Sequence, residues 1–141
     1  MKITIYHNPR WGKSRDSVRI LEDSNLDFTV VEYLKVPPNK EEILYILSLL
    51  KISATKLIRT SEKEYKENNI SSIDNDKKLI DMIVNFPKLM QRPIIIVGDR
   101  AVIGRPPEKI LEIIWVQWIT EYRNVLLENF AAYLRLHDTL Y

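Results

Sequence analysis

The succession of element types at the start of the chain constrains its fold more than any other feature. Residues 2–6 are β-rich, Lys13 to Asp23 carries Val18, Ile20 and Leu21 on one helical face, and Asp27 to Tyr33 is β-rich again. Two strands joined through a helix are predicted to lie parallel, with a right-handed crossover. Ser14 reads as a cap near the start of that helix. Val36-Pro37-Pro38 then interrupts the chain, and Asn39 with Glu42 three residues on predicts a capped helix through about Leu50. Helical patterns with polar breaks fill 53–85, where Leu79, Ile80, Ile83 and Val84 share a face. Pro93 to Val97 and Arg100 to Ile103 flank Gly98-Asp99 and read as a hairpin. Pro107 suits the first position of a last helix, which meets no further Gly or Pro. The predicted order is β-α-β, a helical insert over about 39–86, then β-β-α.

A chain of 141 residues is enough for one domain. We therefore expect one α/β domain over 1–114 and a helical extension over 115–141. Met1-Lys2 runs straight into the first strand with no signal-peptide pattern, and no apolar run is long enough to span a bilayer. A cytoplasmic location without a membrane partner is the expectation. The net charge of +2, with no dense basic tract, argues against direct nucleic-acid binding. There is no cysteine, which removes disulfides, thiolate metal ligands and intrinsic thiol chemistry. No metal site or bound cofactor is expected.

The loop after the first strand reads His7-Asn8-Pro9-Arg10-Trp11-Gly12, followed by Lys13-Ser14-Arg15. A tight loop feeding a helix presents free N–H groups and the positive end of the helix dipole to whatever lies before the first turn. A thiol placed there would have a depressed pKa and attack readily. Trp11 cannot do so.

The run Tyr6-His7-Asn8-Pro9-Arg10-x-Gly12-Lys13-Ser14-Arg15 resembles the signature of glutaredoxin-coupled arsenate reductases, which place the nucleophilic cysteine at x. The likeness continues in Leu57-Ile58-Arg59-Thr60, Gln91-Arg92-Pro93-Ile94 and Ile103-Gly104-Arg105-Pro106-Pro107. It covers about residues 2–114. It implies a thioredoxin-like four-stranded mixed sheet with a helical insertion and a C-terminal helical extension. It further implies arsenate as substrate, glutathione as co-substrate and glutaredoxin as partner. Arg59, Arg92 and Arg105 match the oxyanion-stabilising arginines. His7, Asn8, Gly12, Lys13 and Ser14 belong to the nucleophile loop, and Pro93 to a cis bond facing it. Guanidinium forks suit oxyanions through paired charged hydrogen bonds.

The departure is Trp11, which implies a reductase scaffold without its covalent step. The alternatives are a non-catalytic oxyanion- or protein-binding relative, including a redox-type regulator of the same fold that binds RNA polymerase. Trp11 itself reads as packing or pocket filling, as a stacking partner for an arginine, or as a protruding anchor. His7 reads as a hydrogen-bonded structural residue, and His137 has no assigned role. Arg10, Lys13 and Arg15 read as a positive rim that steers anions. In the extension, Trp115, Ile119, Tyr122, Leu126, Phe130 and Tyr133 recur at near-heptad spacing, the pattern of a core-facing helix. A straight helix of that length overshoots a domain of this size. It must either bend back or be covered by a partner such as a second copy in a homodimer.

Overall fold

The computed structural model describes residues 1–138, with side chains placed through Leu136. The side chains of His137 and Asp138, and residues 139–141, fall outside that description. Strands β1 (Ile3–His7), β2 (Thr29–Glu32), β3 (Ile94–Val97) and β4 (Arg100–Ile103) form one sheet in the order β2-β1-β3-β4. β1 and β2 are parallel, joined through α1 (Gly12–Asp23). β1–β3 and β3–β4 are antiparallel. The sheet is mixed, as the element order requires.

All four residues of β3 are buried, which suits a strand with neighbours on both sides. Successive side chains point to opposite faces. Ile95 and Val97 join Ile3, Ile5, Leu21, Ile110 and Ile113 on the face covered by α1 and the last helix, α6 (Lys109–Asp138). Ile94 and Ile96 join Ile43, Ile46, Leu57, Ile80 and Ile83 on the other face. The insert covers that second face with α2 (Lys40–Leu50), α3 (Ala54–Leu57), α4 (Lys63–Glu67) and α5 (Asp76–Asn85). Asn39 accepts from the Glu42 N–H at 2.8 Å and caps α2, while Asn75 caps α5. An isolated bridge ties Ile58 to Met90. Arg59 and Arg92 are thereby held near one another despite their distance in sequence.

Four local expectations need correction. Ser14 is not the cap of α1: the cap position is Trp11, which offers no side-chain acceptor, and the Ser14 hydroxyl turns back into the loop instead. The second strand spans Thr29–Glu32 rather than 27–33, the length over which β1 supplies partners. Pro107 precedes α6, its carbonyl accepting from Ile110 in a turn before the helix starts at Lys109. The stripe of the extension is not core-facing: Trp115 is 61% exposed and Phe130 59%. Only the root of α6 packs on the sheet, through Ile110, Ile113 and Gln117.

α6 is one continuous helix of 30 residues, about 45 Å long at 1.5 Å per residue. It does not fold back, and every side chain from Tyr122 to Leu136 is exposed. The root of α6 lies against the hairpin tip and the first residue of the chain. Gly98, at the hairpin tip with φ +60°, lies so close to the Gln117 amide that a Cβ there would stand 2.4 Å from Nε2. That amide donates to Glu121 at 3.1 Å, and Glu121 lies 3.9 Å from the Met1 ammonium. No helix among the described residues is long and apolar enough to cross a membrane.

Candidate functional site

β1 delivers the chain into the loop 8–11, and α1 starts immediately after it. His7, buried at the strand end, places Nδ1 2.8 Å from Ser14 Oγ. The same hydroxyl accepts from the Asn8 N–H at 3.1 Å, and the Asn8 side chain accepts from the Arg10 N–H at 3.1 Å. These contacts pin the loop to the first turn of α1. Burial, outweighing the opposing pull of Glu32, lowers the His7 pKa below its ordinary value, so the ring is neutral at pH 7. It acts here as a structural partner of Ser14.

With no acceptor at Trp11, the first turn of α1 carries no side-chain cap. Its N–H groups and its positive dipole end face the loop. Around this point converge three arginines from three separate segments. Trp11 lies beneath all of them: the guanidinium carbons of Arg105, Arg59 and Arg92 are 4.0, 4.6 and 5.0 Å from its ring centroid. Each distance is within cation–π range. Of the three readings open for Trp11, stacking on arginine describes its contacts.

Each arginine is held by its own segment. Arg59 follows α3, and its Nε lies 3.3 Å from Glu62 Oε1. Arg92 Nη2 donates to the same oxygen at 3.1 Å, and Nη1 donates to the Lys88 carbonyl at 2.9 Å. Arg105 Nε donates to the Arg92 carbonyl at 2.9 Å. The Arg92–Pro93 and Arg105–Pro106 bonds are both cis. Gly104 lets the strand end approach: a Cβ there would sit 2.9 Å from Ile95 and 3.0 Å from Pro93.

One carboxylate, Glu62, therefore serves Arg59 and Arg92, and Arg105 donates only to the Arg92 carbonyl among the described residues. Arg59 Nη1, Arg92 Nε and Arg105 Nη2 are buried and lack a hydrogen-bond acceptor among the described residues. Burial lowers the Arg59 pKa, with Arg92 adding repulsion against the pull of Glu62. Arg105 is lowered by burial and by both other arginines. An arginine remains charged in a protein. The cluster is thus a concentration of positive charge with unused donors, the complement of an oxyanion.

Arg10, Lys13 and Arg15 are exposed around the loop, and Arg15 donates to the Pro9 carbonyl at 3.0 Å. Gly12 opens α1 and is also exposed. Two participants escaped the sequence reading. Glu62 stands three residues after Arg59, a spacing that could have suggested the pair. Tyr33 is fully buried, with its phenol pushed up by burial against the opposing charges of Arg92 and Arg59. No sequence signal ties it to the site. No group of three or more His, Cys, Asp or Glu among the described residues could hold a metal ion.

Comparison with known proteins places this arrangement. The ArsC family model matches residues 6–113. The chain is 40% identical over 115 residues to the protein YfgD of Escherichia coli strain K12, covering 80% of this chain and 97% of that one. It is 34% identical over 113 residues to an arsenate reductase of Escherichia coli, covering 79% and 80%. The arsenate reductase structure from Vibrio cholerae superposes with a TM-score of 0.77 at 36% identity, over 80% of this chain and 98% of that one. The match takes in the loop 8–11 and all three arginines and ends within the root of α6. The chain belongs to the ArsC family, on that family's α/β thioredoxin-like fold.

Proposed function

We propose that this protein keeps the oxyanion site of an arsenate reductase and lacks its covalent step. The observation that carries the reading is the closure of Arg59, Arg92 and Arg105 around the residue at the nucleophile position, with donors left over. An indole has no lone pair suited to attack on arsenic, and no cysteine exists elsewhere to take its place. The chain is accordingly read as a pseudoenzyme that binds arsenate or a similar tetrahedral oxyanion in the cytoplasm. Glutathione and glutaredoxin are the thiol partners of its scaffold.

Calorimetric titration with arsenate, phosphate and sulfate tests this. Saturable binding of at least one anion is expected. Arg105→Ala should weaken it about tenfold, the value of one charged hydrogen bond. Absence of heat with all three anions, from a folded sample, refutes the reading.

The outer face of α6 carries the partner proposal, a homodimer. Trp115 stacks on Trp118 and Trp118 on Tyr122, each at 5.4 Å, on the side of the helix away from its core contacts. Ile119, Leu126 and Phe130 continue the exposed stripe. With aromatics presenting ~150–250 Å² each, half of it open, the four aromatics and two aliphatics of the face expose roughly 600 Å². That matches the largest apolar patch a monomer ordinarily leaves uncovered, ~600 Å², and supplies most of the ~800 Å² a standard interface takes from each partner. The stripe bears no charged residue, so two copies can meet about a two-fold axis without opposing like charges. Sedimentation at micromolar concentration is expected to give twice the 16.7 kDa chain mass. Trp118→Glu with Leu126→Glu should return it to one mass unit with the helical signal kept. A monomeric unmodified chain rules the dimer out.

A further inference from the structure

Among the described residues, Glu62 is the one carboxylate paired with the arginine cluster, and both of its contacts there fall on one oxygen. Oε1 lies 3.3 Å from Arg59 Nε and 3.1 Å from Arg92 Nη2. Oε2 accepts no hydrogen bond among the described residues. Glu62 holds the cap position of α4 without capping it, its carboxylate being given to the arginines instead. The side chain stays 20% exposed, so an ion arriving from solvent can meet it.

On Arg92, Nη2 and Nε form one two-pronged edge of the guanidinium. In an ordinary ion pair that edge receives both oxygens of a single carboxylate. Here Glu62 Oε1 fills one prong, and Nε is left without an acceptor. An oxyanion that takes Nε therefore brings one of its oxygens beside Glu62 Oε1. Two unprotonated anionic oxygens so placed repel each other. A hydroxyl on the incoming ion instead donates to the carboxylate, and a short charged hydrogen bond joins the two. We infer, on the footing of the oxyanion site proposed above, that Glu62 is a specificity-determining residue. It makes the site prefer tetrahedral oxyanions that carry a proton over those that carry none. Phosphate and arsenate at neutral pH belong to the first group, and sulfate to the second. Net charge alone does not separate them: three guanidinium groups and one carboxylate leave two positive charges, which any of these dianions offsets.

Calorimetry at about pH 8 tests this, because phosphate and sulfate are then both dianions and differ in the proton. The unmodified chain is expected to bind phosphate at least about tenfold more tightly than sulfate, the value of one hydrogen bond to a charged group. Glu62→Gln should bring that ratio to about one, chiefly through a gain for sulfate, to which the amide can donate. A carboxylate that merely held the arginines in place would, on removal, weaken both anions alike and leave the ratio standing. Methyl phosphate, a dianion with no hydroxyl at that pH, should bind the unmodified chain as weakly as sulfate. That comparison keeps the role testable even if Glu62→Gln fails to fold. Equal affinity for phosphate and sulfate in the unmodified chain, or a preference that survives Glu62→Gln, overturns the role of Glu62 and leaves the oxyanion site in place. Absence of binding by every anion, from a folded chain, overturns the oxyanion site and the role of Glu62 with it.

Discussion

A Trp11→Cys variant is expected to reduce arsenate in the presence of glutathione and glutaredoxin, while the unmodified chain gives only background. The thiol would occupy the cap position of α1, where the helix dipole and three guanidinium groups favour its thiolate. That sulfur attacks arsenic, forming an S–As bond as an arsenate oxygen leaves as water. Thiols from glutathione and glutaredoxin then supply the two electrons that take arsenic from +5 to +3, and end as disulfide. Preorganised donors at a developing oxyanion are worth ~10²–10³ in rate for a single group. A rise of at least about a hundredfold over background is therefore expected. The measurement is coupled turnover with glutathione reductase and NADPH. Turnover by the unmodified chain contradicts the proposed loss of the covalent step. A folded, anion-binding cysteine variant that stays inactive shows that more than the nucleophile has been lost.

The largest loss of stability is expected at the centre of the sheet. Ile95 is fully buried in β3, registered against Ile5 on one side and Val102 on the other. Its side chain packs where α1, α6 and the Gly104 backbone meet. Truncation removes transfer energy and leaves a cavity that two bonded neighbours prevent from collapsing. Ile95→Ala should cost about 3 kcal/mol, read as a fall in Tm of roughly 10 °C. Val36→Ala, at a site 68% exposed, should stay within ~0.5 kcal/mol. Equal effects for the two variants would mean that the sheet centre does not bear the load described here.

The sheet was legible because its signals are local and repeated. The β-α-β opening, the Gly98-Asp99 hairpin and the Asn39 cap each follow from residues close in sequence. The three arginines were legible only through resemblance. Their meeting depends on the Ile58–Met90 bridge and on the approach of Gly104, neither of which leaves a periodic trace. Ser14 was misread because a serine near a helix start is ordinarily a cap, whereas here His7 and Asn8 compete for its hydroxyl and win. Glu62 was missed because a lone surface-type glutamate looks like any other. Periodicity reads the aromatic stripe of α6 as core-facing because it reports one apolar side of a helix without saying which direction it faces. The shorter stripe at the root, Ile110 and Ile113, took that role.

The close approach of Gly98 to Gln117, with the Ile110 and Ile113 packing, makes the helix a lever with its fulcrum at the hairpin tip. Its overhang past Tyr122 is ~25 Å. A tilt of ~10° at the fulcrum, ~32 Å from Asp138, would sweep the far end through ~5–6 Å by the same geometry. A side chain added at Gly98 would act at that fulcrum, so a change in a turn far from the aromatic stripe could misalign the whole of it.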